Sequence, residues 1–124
     1  MKDKPIEAFA FQKKKFADKM NQVEKTATTK LILVVAANTI DPEIGKGCRE
    51  DIKSIRHMFE KLSKLMKFNF FELVVAEADY SRKNILDAIE LLTPGGNDIV
   101  VFYYSGHGFS YEEDAEKRFP QVDM

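Results

Sequence analysis

The chain has 124 residues, 44% of them apolar and 11% aromatic, with 19 Lys+Arg against 20 Asp+Glu and a formal charge of −1. That length and apolar content suit one domain with a real core, and the near-balanced charge excludes a compositionally disordered chain and argues against a dedicated nucleic-acid binder. No apolar run approaches the ~18 residues of a membrane span, and the single cysteine, Cys48, excludes an internal disulfide framework and a multi-cysteine zinc site.

In chain order, the opening Met-Lys-Asp-Lys-Pro leads into no hydrophobic segment, so no signal peptide is expected on this sequence. One cysteine leaves the compartment open: a soluble chain, cytoplasmic or secreted after removal of a leader. Residues 5–25 read as an amphipathic helix, with Ile6, Phe9, Phe16, Met20 and Val23 on one face and lysines opposite. Thr26, Thr28 and Thr29 interrupt it. Residues 1–28 form a helical arm or prosegment ahead of the domain at 29–124. Leu31 to Ala37 is a short, unbroken, β-branched run, which predicts a buried strand. A loop from Asn38 to Gly47 carries Pro42, Gly45 and Gly47.

Ile52, Ile55, Phe59, Leu62 and Met66 then recur at helical spacing and predict the clearest helix of the chain. Phe70 to Ala76 predicts a second buried strand. Ser81 is a good N-cap for a helix with Ile85, Ile89 and Leu92 inward. Thr93-Pro94-Gly95-Gly96-Asn97 ends that helix. Ile99 to Tyr104 predicts a third buried strand, followed directly by Ser105-Gly106-His107-Gly108. The rest, 109–124, is mostly charged and without period.

The order is β-α-β-α-β behind a helical arm, the signature of an α/β fold with a mainly parallel sheet and helices on both faces. Ligands bind such sheets outside the carboxyl ends of the strands. Two carboxyl-end segments carry chemistry: the loop and helix start holding Cys48 and Asp51, and Ser105 to Gly108. Two phosphate motifs fail. Gly45-Lys46 lacks the earlier P-loop glycine, because Ile40 stands there, and Gly47 replaces the Ser/Thr. Gly106-His107-Gly108 lacks the third dinucleotide glycine, because Tyr111 stands there. A flavodoxin-like reading would need a phosphate loop or paired acids after the first strand, where Asn38 and Thr39 stand. His107, between two glycines at a strand end, is either a turn histidine or a general base with close access to a substrate backbone.

Tyr103-Tyr104-Ser105-Gly106-His107-Gly108, preceded by Asp98-Ile99-Val100-Val101-Phe102, resembles the histidine strand of caspase-like cysteine peptidases, closest to the metacaspase and bacterial caspase-like branch. Gly47-Cys48-Arg49-Glu50-Asp51-Ile52 resembles that branch's Gly-Cys-x-x-Asp-(apolar) motif. The resemblance spans roughly residues 30 to 110. The resemblance implies the three-layer caspase-like (caspase-haemoglobinase) fold, of which this chain supplies roughly the first three strands. It implies a cysteine-type endopeptidase with a Cys–His dyad. His107 would be the catalytic histidine, and Gly108 the glycine whose N–H helps hold the oxyanion. Cys48, Asp51 and Ser105 would line the pocket for the residue before the scissile bond. An acidic pocket matches Arg or Lys there. The caspase arginine for aspartate recognition falls at Gly45, so basic specificity fits better.

The family's nucleophile follows a fourth strand downstream of the histidine. Cys48 is therefore expected as a pocket-wall thiol, and the nucleophile in a C-terminal remainder of the domain. Without it this chain alone is expected to be inactive. The partners expected are that remainder and a protein or peptide substrate, with neither nucleic acid nor membrane. A non-catalytic caspase-like interaction module is the alternative. Some metacaspases use calcium through acidic loops, and Glu112, Glu113, Asp114 and Glu116 cluster after His107. No EF-hand pattern accompanies them, so a solvated loop is the expectation, with no cofactor. His57 reads as a surface residue, and no metal-ligand spacing links it to Cys48 and His107.

Overall fold

The computed structural model describes residues 6–23, 29–109 and 121–122. The acidic cluster at 112–116 and the Thr26–Thr28 break lie outside them. Helix α1 spans Phe9–Val23, strand β1 Lys30–Ala37, helix α2 Gly45–Met66 and strand β2 Asn69–Val75. A single 3-10 turn, Glu77–Asp79, precedes helix α3, Arg82–Glu90. Strand β3 is Ile99–Ser105, and a two-residue ribbon pairs β4, Gly108–Phe109, with β5, Gln121–Val122.

The three long strands form one parallel sheet in the order β2-β1-β3. The unbroken apolar run of β1 earns its central place: Leu31 to Ala37 are all buried. Alternation then makes two cores. Ile32, Val34 and Ala36 pack with Phe71, Leu73 and Val75 under Phe9 and Phe16 of α1 and Ile85 and Ala88 of α3. Leu31, Leu33, Val35 and Ala37 pack on the other face under Cys48 and Ile52 of α2. A parallel sheet with helices on both faces is the architecture the sequence predicts, and it agrees with the N-terminal part of a caspase-like fold.

Several details differ from the sequence reading. Residues 6–8 precede α1 rather than belonging to it. Helix α2 begins at Gly45, so Gly45, Lys46 and Gly47 are helical rather than loop. A Cβ on Gly45 would stand 2.3 Å from the Thr39 carbonyl oxygen, so the helix can start this close to the β1 end only on a glycine. Ile89 is 44% exposed, because Ile85 and Ala88 are the residues of α3 that face the sheet. Leu62 and Met66 are likewise exposed, and Ser63 takes the inward position beside them. The 3.6-residue period rotates the buried stripe away from that pair over the length of α2. Ser81 caps α3 as its type predicts, its Oγ accepting the Asn84 N–H at 3.1 Å.

Candidate active site

The carboxyl ends of β1 and β3 lie side by side, with Ala37 opposite Ser105. Pairing continues one step further, as the Asn38 N–H donates to the Ser105 carbonyl at 2.9 Å. The same carbonyl faces the Cys48 thiol at 3.5 Å. The Ser105 hydroxyl donates to Asp51 Oδ2 at 2.7 Å. Cys48 and Asp51 reach this point because α2 starts directly behind the β1 end and they sit three residues apart on one face. The structure therefore brings Cys48, Asp51 and Ser105 together across 54 to 57 residues of sequence. Cys48 is buried and Asp51 is exposed. Asp51 keeps one oxygen, Oδ1, without a hydrogen-bond donor among the described residues. Tyr103 stands nearby, its phenol pushed above its ordinary value by burial and then by the charge of Asp51.

His107 follows two residues beyond Ser105, at the same end of the sheet, with Gly108 exposed beside it. Its ring does not join the Cys48–Asp51–Ser105 group. Its Nε2 lies 3.0 Å from Asp41 Oδ2, in the loop between β1 and α2. Asp41 is itself anchored: its Oδ1 accepts the N–H of Glu43 at 2.8 Å and of Ile44 at 3.1 Å. Those two donors hold the Asp41 carboxyl below the usual aspartate range; burial opposes them, and the His107 ring adds a lesser lowering effect. The backbone of His107 is pinned as well. The Tyr104 hydroxyl donates to the His107 carbonyl at 2.6 Å. Gly106 makes room for that phenol, since a Cβ there would lie 2.5 Å from the Tyr104 oxygen.

Sequence reasoning missed Asp41 and Tyr104. The usable signal for Asp41 was the turn dipeptide Asp41-Pro42 in the loop after a strand. Tyr104 had none, because an aromatic in an apolar strand reads as core. A second ion pair braces the rim. Arg49 of α2 grips Glu77 in a fork, at 2.8 and 3.1 Å. Glu77 occupies the left-handed region at φ 53, and its N–H donates to the buried Thr39 hydroxyl at 2.7 Å. This ties the β2 end to the β1–α2 loop.

Among the described residues no group of three His, Cys, Asp or Glu could hold a metal. A cavity of about 240 Å³ opens between α1 and β2, lined by Gln12, Lys15, Phe16, Arg56 and Glu72, but none of the site residues borders it. His57 is exposed on α2. No helix among the described residues is long and apolar enough to cross a membrane.

A family model described as the caspase domain matches residues 29–123. No curated protein and no solved structure matches the chain significantly.

Proposed function

The chain belongs to the caspase-domain family, and on that premise we propose that it carries the histidine half of a cysteine endopeptidase that cuts after Arg or Lys. The carrying observation is His107 with Gly108 at the carboxyl end of β3, beside the Ser105–Asp51 pair. In this reading His107 takes the proton of a cysteine thiol, and the thiolate attacks the scissile carbonyl carbon. The Gly108 N–H donates to the resulting oxyanion. The imidazolium returns its proton to the departing amine, leaving a thioester. Water, deprotonated by the same imidazole, then cleaves the thioester and restores the thiol.

Cys48 is the wrong thiol for this step. It is buried and directed at the Ser105 carbonyl, while the His107 ring faces Asp41. The nucleophile is therefore supplied by a further segment of the domain, packed beside β3. Asp51 suits a guanidinium or ammonium group, because it is exposed and Ser105 occupies only one of its oxygens. This pocket chemistry, shared with the metacaspase-like motif, supports our reading of the protein as a member of that branch.

The test is hydrolysis of matched peptides by the complete protein, with Arg, Lys or Asp before the scissile bond. Cleavage after Arg and Lys, abolished by His107→Ala, is the expected result. Cleavage after Asp contradicts the specificity. No cleavage at all returns the alternative, a non-catalytic interaction module.

A further inference from the structure

We propose that Asp41 is a positioning residue for His107: its carboxylate holds the ring proton on Nε2 and so leaves Nδ1 as the atom that accepts a proton. The inference rests on the reading of His107 as the base, and adds a third group to a Cys–His pair.

The geometry divides the two oxygens of Asp41 between two tasks. Oδ1 is locked by the N–H groups of Glu43 and Ile44 in an Asx turn. That turn has its own anchor, as the Gly45 N–H donates to the Asp41 carbonyl at 2.8 Å. The side chain therefore cannot swing without breaking backbone hydrogen bonds. Oδ2 is left aimed at the imidazole, 3.0 Å from Nε2. An ionised carboxylate only accepts hydrogen bonds, so a neutral ring facing it must carry its proton on Nε2. The backbone that carries the ring is held too, since the Tyr104 hydroxyl donates to the His107 carbonyl. Among the described residues Asp41 is the ring's only hydrogen-bond partner. An acceptor of fixed direction on one nitrogen sets both tautomer and ring orientation, which is how a carboxylate serves a catalytic histidine without itself being protonated.

An incidental surface ion pair would look different. Side-chain ion pairs at the surface are loosely held and lie on mobile side chains. Asp41 is short, 19% exposed and bonded through every oxygen it has.

The test is nitrogen-15 spectroscopy of the imidazole rings in the full chain at alkaline pH, where neutral rings are observed. With only two histidines, exposed His57 is an internal reference. The informative variant is Asp41→Asn. Its oxygen still accepts from Glu43 and Ile44, so the turn survives, but its amide now offers N–H to Nε2. His107 is expected on the Nε2–H tautomer in the wild type and on the Nδ1–H tautomer in the variant, with His57 unchanged. The same His107 tautomer in both proteins overturns the proposal. If Asp41→Asn failed to fold, the wild type alone would still decide: a proton on Nδ1, or the solvent mixture shown by His57, overturns it. The readout needs no hydrolysis, so a failed peptidase assay and a failed positioning claim are told apart.

Discussion

Asp41 and Asp51 are both carboxylates at the carboxyl end of the sheet, yet their surroundings prepare them for different work. Asp41 is bonded through both oxygens and faces a ring; Asp51 is exposed and bonded through one. Two outcomes follow at this scale. Asp51→Ala in the complete protein is expected to cost about 2–5 kcal/mol of transition-state binding for Arg substrates, the loss of a charge partner. Peptide kinetics read it, and Arg cleavage untouched by the change contradicts the pocket. For Asp41 the sign is that of a depressed carboxyl. Its folded value lies below the ordinary 3.8, so its contribution is complete above that pH and is lost as pH falls through the lower folded value. The Glu43 and Ile44 amide signals should titrate with a midpoint below pH 3.8. Movement centred above that pH would mean that the turn does not stabilise the charged form. His107 was legible because glycines flank it at the end of an apolar run. Asp41 was not, because a turn aspartate before proline has the same local pattern whether or not a ring faces it across 66 residues.

At the scale of elements, unbroken apolar runs made the three strands legible to within one position at each end, but β3, read as a buried strand, is exposed at Ile99, Val100 and Phe102 because no helix packs on it as on β1 and β2. The start of α2 was illegible because glycine composition reads as loop. Only the approach of the Thr39 carbonyl reveals why a glycine opens that helix. Ile89 and Leu62 are exposed because Ile85 and Ala88 on α3, and Ser63 on α2, take the inward positions. The place of α1 also escaped the sequence. Phe9 and Phe16 enter the core, and Gln12 acts as a short strand. Its Nε2 donates to the Val74 carbonyl at 2.8 Å and its Oε1 accepts the Val74 N–H at 2.7 Å, closing the outer edge of β2. Lys19 adds a bond to the Phe70 carbonyl. Helix α1 therefore packs as part of the sheet's core and edge. Gln12→Leu leaves two buried backbone groups unpaired, and urea unfolding is expected to show a loss of about 1–3 kcal/mol or more. An unchanged midpoint would mean that water replaces the amide without cost.

At the scale of the molecule the sheet is lopsided. β2 is closed by Gln12, whereas β3 pairs only with β1 among the described residues. The helices make their main contacts with β1 and β2. In consequence Ile99, Val100 and Phe102 stay more than 40% exposed, in a strand apolar on both faces. A flat apolar edge invites another strand, and we assign it to the segment that brings the nucleophile. Phe102→Ser should then cost under about 1 kcal/mol in this chain alone, as for a surface change. In the complete protein it should cost about 3–5 kcal/mol, as for a core aromatic. Equal small costs in both would leave β3 uncovered. The central claim is that His107 serves a cysteine other than Cys48. Its most direct measurement is the attachment site of a thiol-reactive peptidyl-arginine inhibitor on the complete protein, mapped by mass spectrometry. One labelled cysteine downstream of His107 is expected, with labelling lost in His107→Ala and kept in Cys48→Ser. Labelling of Cys48, or labelling indifferent to His107, would contradict it.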